Sequence, residues 1–156
     1  MKKGDFFARN EIGGGLEGVR DLYTAKGFID IVMVPDVVKS SEGTLVLSIN
    51  VTEGRQYHMG VLEIFAKKEL AERLRTQWEI PEGAVFDLRY VEKFIAQNRL
   101  ILPAEFRREN VQVVRNCRES SVAVRFPLDW TDSRAQSVPK EIDCEEPDTG
   151  NESSKN

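Results

Sequence analysis

Shifted by 79 residues, the sequence matches itself without a gap. Gly4 falls on Gly83, Phe7 on Phe86, Ile12 on Val91, Leu16 on Ile95 and Leu22 on Ile101. Val32 falls on Val111 and Val34 on Val113, and Leu45, Leu47 and Ile49 fall on Val124, Phe126 and Leu128. One coincidence of apolar residues carries no weight. Agreement in phase through two helical turns and two strand-like runs indicates two copies of one supersecondary unit.

The second copy is the more legible. Tyr57–Ala66, "YHMGVLEIFA", reads as an apolar strand. Lys67–Trp78 places Leu70, Leu74 and Trp78 on one face of an amphipathic helix. Pro81 and Gly83 break the chain, and Asp87 caps a second helix over Leu88–Leu102, which Pro103 stops. "ENVQVVRN" and "SSVAVRFPLDW" are strands, the latter pointing Val122, Val124, Phe126 and Leu128 inward. The expected order is strand, helix, helix, strand, strand.

The first copy shows only the last three of these elements. Asn10 is placed to cap a helix through Lys26, closed by Gly27. Phe28–Val34 reads as a strand, "SSEG" as a turn, and Thr44–Thr52 as a strand with Leu45, Leu47, Ile49 and Val51 facing a core. The first strand and first helix of the unit are expected to be missing.

That helix contains "IGGGLEG", which fits G-x-G-x-x-G at Gly13, Gly15 and Gly18, with Asp36 at a distance suited to a ribose-binding acid. A dinucleotide loop needs a buried strand feeding into the glycines. Here "KKGDFFARNE" precedes them, and the repeat puts the glycine-free "VEKFIAQN" in the same slot. A nucleotide-dependent oxidoreductase is thus the weakest of the readings. The glycines make a soft helix, rescued by packing, brought close to another backbone, or only marginally formed.

Net charge is −4, and residues 131–156 account for all of it. The rest is balanced, so no basic field exists to attract nucleic acid. No apolar run reaches the roughly 20 residues of a membrane helix. Met1-Lys2-Lys3 is followed by no apolar stretch of the kind an export signal needs. The segment from Thr131 is polar and aperiodic, which predicts a disordered acidic tail. Cys117 and Cys144 lack metal-like spacing. Two unpaired thiols are the simpler reading; a bridge would require the tail to fold back.

"GDFFARNEIGGGLEGVRDLYTAKGFIDIVMVPDVV" followed by "GTLVLSINVTEGRQYHMGVLEIFA" resembles the POTRA (polypeptide-transport-associated) domain of the outer-membrane β-barrel assembly and surface antigen family. The resemblance rests on "GDFF" opening a helix, "LYTAKGF" closing it and "GTLVLSINVTEG" as a last strand. It covers residues 4–66 well. The second copy matches in layout but has "NRLILPAEF" where the family shows a Tyr-x-x-x-Gly-Tyr-like ending.

The resemblance implies an α+β fold of β-α-α-β-β modules, each a small mixed three-stranded sheet with two helices on one face. The expected organisation is a partial module over residues 4–54, a diverged module over 55–130 and the tail over 131–156. It also implies a non-enzymatic, periplasmic role in outer-membrane protein assembly or polypeptide transport, with no cofactor. Unfolded or extended polypeptides, or proteins of an assembly complex, would bind by adding a strand to an open edge. In the first copy that edge maps to Ile29, Ile31, Val32, Met33 and Val34. In the second it maps to Asn110, Val111, Gln112, Val113 and Val114. No barrel-forming strands follow. The incomplete first copy would leave one side of "TLVLSINVT" open, which makes a homodimer the rival expectation.

His58, the single histidine, has no partner at a defined spacing, and no nucleophile or metal motif occurs. Trp78 and Trp130 are expected to fill the core or the junction between copies.

Overall fold

The computed structural model describes residues 9–136 and 138–144. A helix α1 (Arg9–Thr24) is followed by a hairpin of β1 (Val32–Lys39) and β2 (Leu45–Thr52). Then come β3 (His58–Phe65), α2 (Lys68–Gln77), α3 (Leu88–Gln97), β4 (Gln112–Asn116), β5 (Ser121–Pro127) and a short β6 (Glu141–Ile142). A helix followed by two antiparallel strands occurs in both halves. The architecture is α+β, with the β-α-α-β-β order expected for a POTRA-like unit in the second half.

Two sheets form. One is the antiparallel β1–β2 ribbon. The other runs β3-β5-β4-β6, with β3 parallel to β5, β5 antiparallel to β4, and β6 parallel to β4. Between Met59 and Leu62 the β3–β5 register slips by one residue, a bulge that lets Met59 and Ile64 both point inward. Gly60 sits in it because a Cβ there would meet the Val122 carbonyl oxygen at 2.8 Å.

The core is built by one face of this sheet and by α2 and α3. Met59, Leu74, Phe86, Val91, Phe94, Val122, Val124 and Phe126 are buried. Trp78 meets Tyr90, Phe94 and Phe126 edge-on at 5.0, 5.1 and 6.0 Å between ring centres, a favoured aromatic geometry. Its indole N–H donates to the Ile80 carbonyl at 2.9 Å. Trp130, in contrast, is exposed and fills neither core nor junction.

Local signals fixed most boundaries. Asp87 accepts from the Arg89 N–H at 2.9 Å and starts α3. The helix stops at Gln97, short of the expected Leu102. Buried Asn98 turns out of it and donates its side-chain N–H to the Phe94 carbonyl, and the following turn brings Leu102 into the core.

Helix α1 already includes Asn10, so Asn10 is not its cap. Its end is the expected one. Gly27 has φ +85°, Phe28 N–H donates to Tyr23 O and Gly27 N–H to Thr24 O, and the Tyr23 and Phe28 rings touch. These are the two bonds and the apolar contact of a Schellman stop. Gly13, Gly14, Gly15 and Gly18 lie inside the helix rather than in a strand-to-helix turn, and a Cβ on any of them would meet nothing within 4 Å. Close approach of another backbone among the described residues therefore does not explain them.

Three expectations are corrected. The first strand begins at Val32 and runs through Pro35, because residues 28–31 are used in the turn after α1. Leu45, Ile49 and Val51 are 48%, 40% and 41% exposed and do not face a core. Helix α1 lies against α3, and among the described residues no helix has its main contacts on the ribbon. Finally, the segment from Thr131 is not disordered over 131–136 and 138–144. It folds back, buries Ala135, forms β6 and closes a Cys117–Cys144 disulfide. Residues 145–156 of the expected tail lie outside the described residues.

Because nothing occupies the space beside Gly14, Gly14→Ala should stabilise α1 by about 0.5–1 kcal/mol. Slower amide exchange across Ile12–Gly18 is the expected readout.

Candidate protein-binding edge

Strand β4 is central to the site. Its inner side pairs with β5, with Val114 opposite Ala123 and Gln112 opposite Arg125. On its outer side Arg115 N–H donates to the Lys140 carbonyl at 2.9 Å and Cys117 N–H to the Ile142 carbonyl at 3.1 Å. In a strand, N–H and C=O of alternate residues point the same way. Val113 therefore aims both groups outward, where neither has a backbone partner among the described residues. A cleft of about 480 Å³ opens at this point, lined by Ile29, Leu88, Arg108, Val111, Val113 and Lys140. Burial lowers the affinity of the Arg108 guanidinium for its proton, with Glu92 and Glu109 acting in the opposite direction.

The expected edge residues are divided by the structure. Val113 lies on the open length of β4. Gln112 and Val114 turn their backbone groups to β5, Val111 is in the core, and Asn110 ends a short 3-10 turn over Arg108–Asn110. In the first copy Val32, Met33 and Val34 lie in β1, paired with Thr52, Val51 and Asn50. Ile29 and Ile31 precede the strand; Ile31 is buried and Ile29 lines the β4 cleft. Both therefore leave the β1 edge, and the two expected edges meet through Ile29.

That meeting is held by a polar junction. Asp30 accepts from the Tyr57 hydroxyl at 2.7 Å and from Arg115 Nη1. Arg115 Nη2 donates to Glu141 on β6 at 2.8 Å. Tyr57 N–H donates to Gly27 O at 2.9 Å, and Gln56 Nε2 to Lys26 O at 3.0 Å. Gly27 admits no side chain here, since a Cβ would lie 2.6 Å from the Tyr57 carbonyl oxygen. Asp30, Arg115 and Glu141 were not singled out from sequence. They are charged residues whose contacting pairs lie 85 and 26 positions apart, with no periodic signal to link them.

A second polar row crosses the sheet face away from the helices. Arg125 is buried, and donates to Glu63 Oε2 at 2.7 Å and to Gln112 Oε1 at 2.8 Å on the flanking strands. Its guanidinium also reaches the carbonyls of Arg134 and Gln136 and lies 4.8 Å over the Phe65 ring. This row fastens the segment after β5 to the sheet.

No family model matches the chain, and no curated protein matches it in sequence. Among solved structures, it is similar to BamA from Haemophilus ducreyi lacking POTRA domains 1-3, with a TM-score of 0.63 and 14% identity. The match covers 80% of this chain and 24% of that one, so the chain spans about a quarter of that structure's length. At this identity the likeness is one of fold. Among the described residues, no helix is long and apolar enough to cross a membrane.

The Tyr57 hydroxyl is pushed up to about 12, chiefly by burial and next by its bond to Asp30. The folded chain thus keeps a proton that the unfolded chain loses near pH 10. This contribution to stability is whole below pH 10 and is lost as pH rises toward 12. Tyr57→Phe should cost about 1 kcal/mol near neutrality and flatten the fall of stability above pH 10, as read by denaturant unfolding at a series of pH values.

Proposed function

We propose that this chain is a non-enzymatic, POTRA-type protein-binding module acting in outer-membrane protein assembly or polypeptide transport. It works in the periplasm, beside the outer membrane, and takes extended polypeptides or assembly partners by strand addition. The observation that carries this reading is the outward Val113 N–H and C=O, which have no backbone partner among the described residues, at the edge of a small mixed sheet and beside a cleft lined by both apolar and charged side chains. An extended chain there would gain backbone hydrogen bonds from β4 and side-chain contacts from the cleft. The fold likeness to BamA supports the assembly theme. On this reading residues 4–54 are a partial module and 55–130 a second, diverged one.

Proline at position 113 removes the outward donor without touching a β4–β5 ladder bond. Val113→Pro should weaken binding of extended peptides at least about tenfold while the β5 amides stay protected. Amide shifts in a peptide titration give the answer. Unchanged signals at Val113 in the wild type would reject strand addition there.

A second reading is a self-associating scaffold, favoured by the exposed Leu45, Val46, Ile49 and Val51 on β2, whose outer edge has no strand beside it among the described residues. It predicts a doubled mass in solution that Val46→Lys returns to the monomer value, measured by sedimentation or light scattering. A monomeric wild type rejects it.

A further inference from the structure

The segment after β5 is fastened at two ends and lies between them across the candidate edge. At one end the buried Arg125 holds the carbonyls of Arg134 and Gln136, and Ala135 is fully buried. At the other, Cys144 is bonded to Cys117, the residue just beyond β4. Between these anchors Glu141 and Ile142 pair with Arg115 and Asn116, on the same outer side to which Val113 points. The segment thus fills the next stretch of the edge to which a ligand strand would add.

We infer that β6 is a built-in occupant of the β4 edge, and that reduction of the Cys117–Cys144 disulfide by a dithiol lets an external extended segment of like chemistry replace it. The inference rests on the strand-addition reading. The built-in occupant also specifies its replacement: a strand parallel to β4, with a carboxylate against Arg115 and an apolar residue after it.

Without the disulfide, little holds β6. It has two residues, Ile142 is 46% exposed, and the Glu141 side chain is 55% exposed. An ion pair so open to water adds little. The disulfide keeps the strand at high local concentration, which any free peptide must outcompete. The bond is also reachable. It borders an open cleft lined by Arg55, Arg118 and Asp143, and Arg55 Nη1 donates to the Cys117 carbonyl at 2.7 Å. Two guanidinium groups favour both an arriving and a departing thiolate.

The reduction is a two-electron exchange. A thiolate of the dithiol attacks Cys144 Sγ, the Sγ–Sγ bond breaks, and the Cys117 sulfur leaves as a thiolate and takes a proton. The second thiol of the reductant, as thiolate, then attacks its own mixed disulfide. Cys144 is released, takes a proton, and the reductant closes its own disulfide.

The test uses the full chain in three forms: oxidised, reduced with dithiothreitol, and Cys117→Ser/Cys144→Ser. The probe is a capped hexapeptide, Val-Pro-Lys-Glu-Ile-Asp, which copies residues 138–143, with a scrambled version as control. Both opened forms should exchange the Arg115 and Cys117 (or substituted Ser) amides at least about tenfold faster and bind the hexapeptide about tenfold more tightly, because the competing strand becomes less concentrated. Amides of β3 and β5 should stay protected. If the Arg115 amide stays protected after reduction, the inference is overturned while strand addition at Val113 stands. If β5 also loses protection, the disulfide is a staple of the fold and the inference is overturned. If the edge opens but the peptide binds in no form, the strand-addition reading fails and the exchange of occupants fails with it.

Discussion

Strand β5 organises the second half of the chain because it pairs with β3 on one side and β4 on the other. Its alternation serves two purposes. Val122, Val124 and Phe126 enter the helix-covered core, while Arg125 on the opposite face joins Glu63 and Gln112 in one row across three strands. A buried guanidinium is tolerated only when its donors are met. Here carboxylate, amide and two backbone carbonyls meet them, and the carbonyls belong to the segment after β5. The requirement to satisfy one arginine thus directs the following chain back over the sheet.

That return path links the edge, the disulfide and the junction. From Arg134 the chain reaches β6, whose Glu141 shares Arg115 with Asp30. Asp30 also accepts the Tyr57 hydroxyl, so residues from the turn after α1, the start of β3, β4 and β6 meet at one charged cluster. The candidate binding edge is short for this reason. β6 covers Arg115–Cys117, while Val113 remains open beside a cleft to which Ile29 of the first half contributes.

The first half follows the same pattern with fewer partners. Its ribbon keeps the alternation of β4 and β5, yet Val32 and Val34 are each 53% exposed where the matching Val111 is buried. The difference lies in what surrounds them. Val111, just before β4, belongs to the core cluster with residues of α2 and α3, and β3 and β5 continue the sheet beyond β4. Among the described residues the ribbon has no such strand, and α1, weakened by four glycines, rests on α3 instead. Exposed apolar strand surface of this kind is a place where a further chain can add.

The sequence by itself determined the α+β class, the order of elements in the second half and most helix limits, because those depend on local rules. Asp87 caps, Gly27 stops a helix through its positive φ, and alternating residues mark β5. The β-bulge at Gly60 was invisible because an apolar run does not reveal the inserted residue. The tail was misread for a related reason. Its order comes from an arginine ten or so positions upstream and from a disulfide spanning 27 residues, not from its own apolar content. Likewise, sequence did not show that β6 lies outside β4, nor which residues of β4 face outward, since that parity is set by pairing with β5. Tertiary structure alone decided that Val113 turns its backbone groups outward, that Arg115 is shared by two carboxylates, and that the ribbon of the first half faces no core among the described residues.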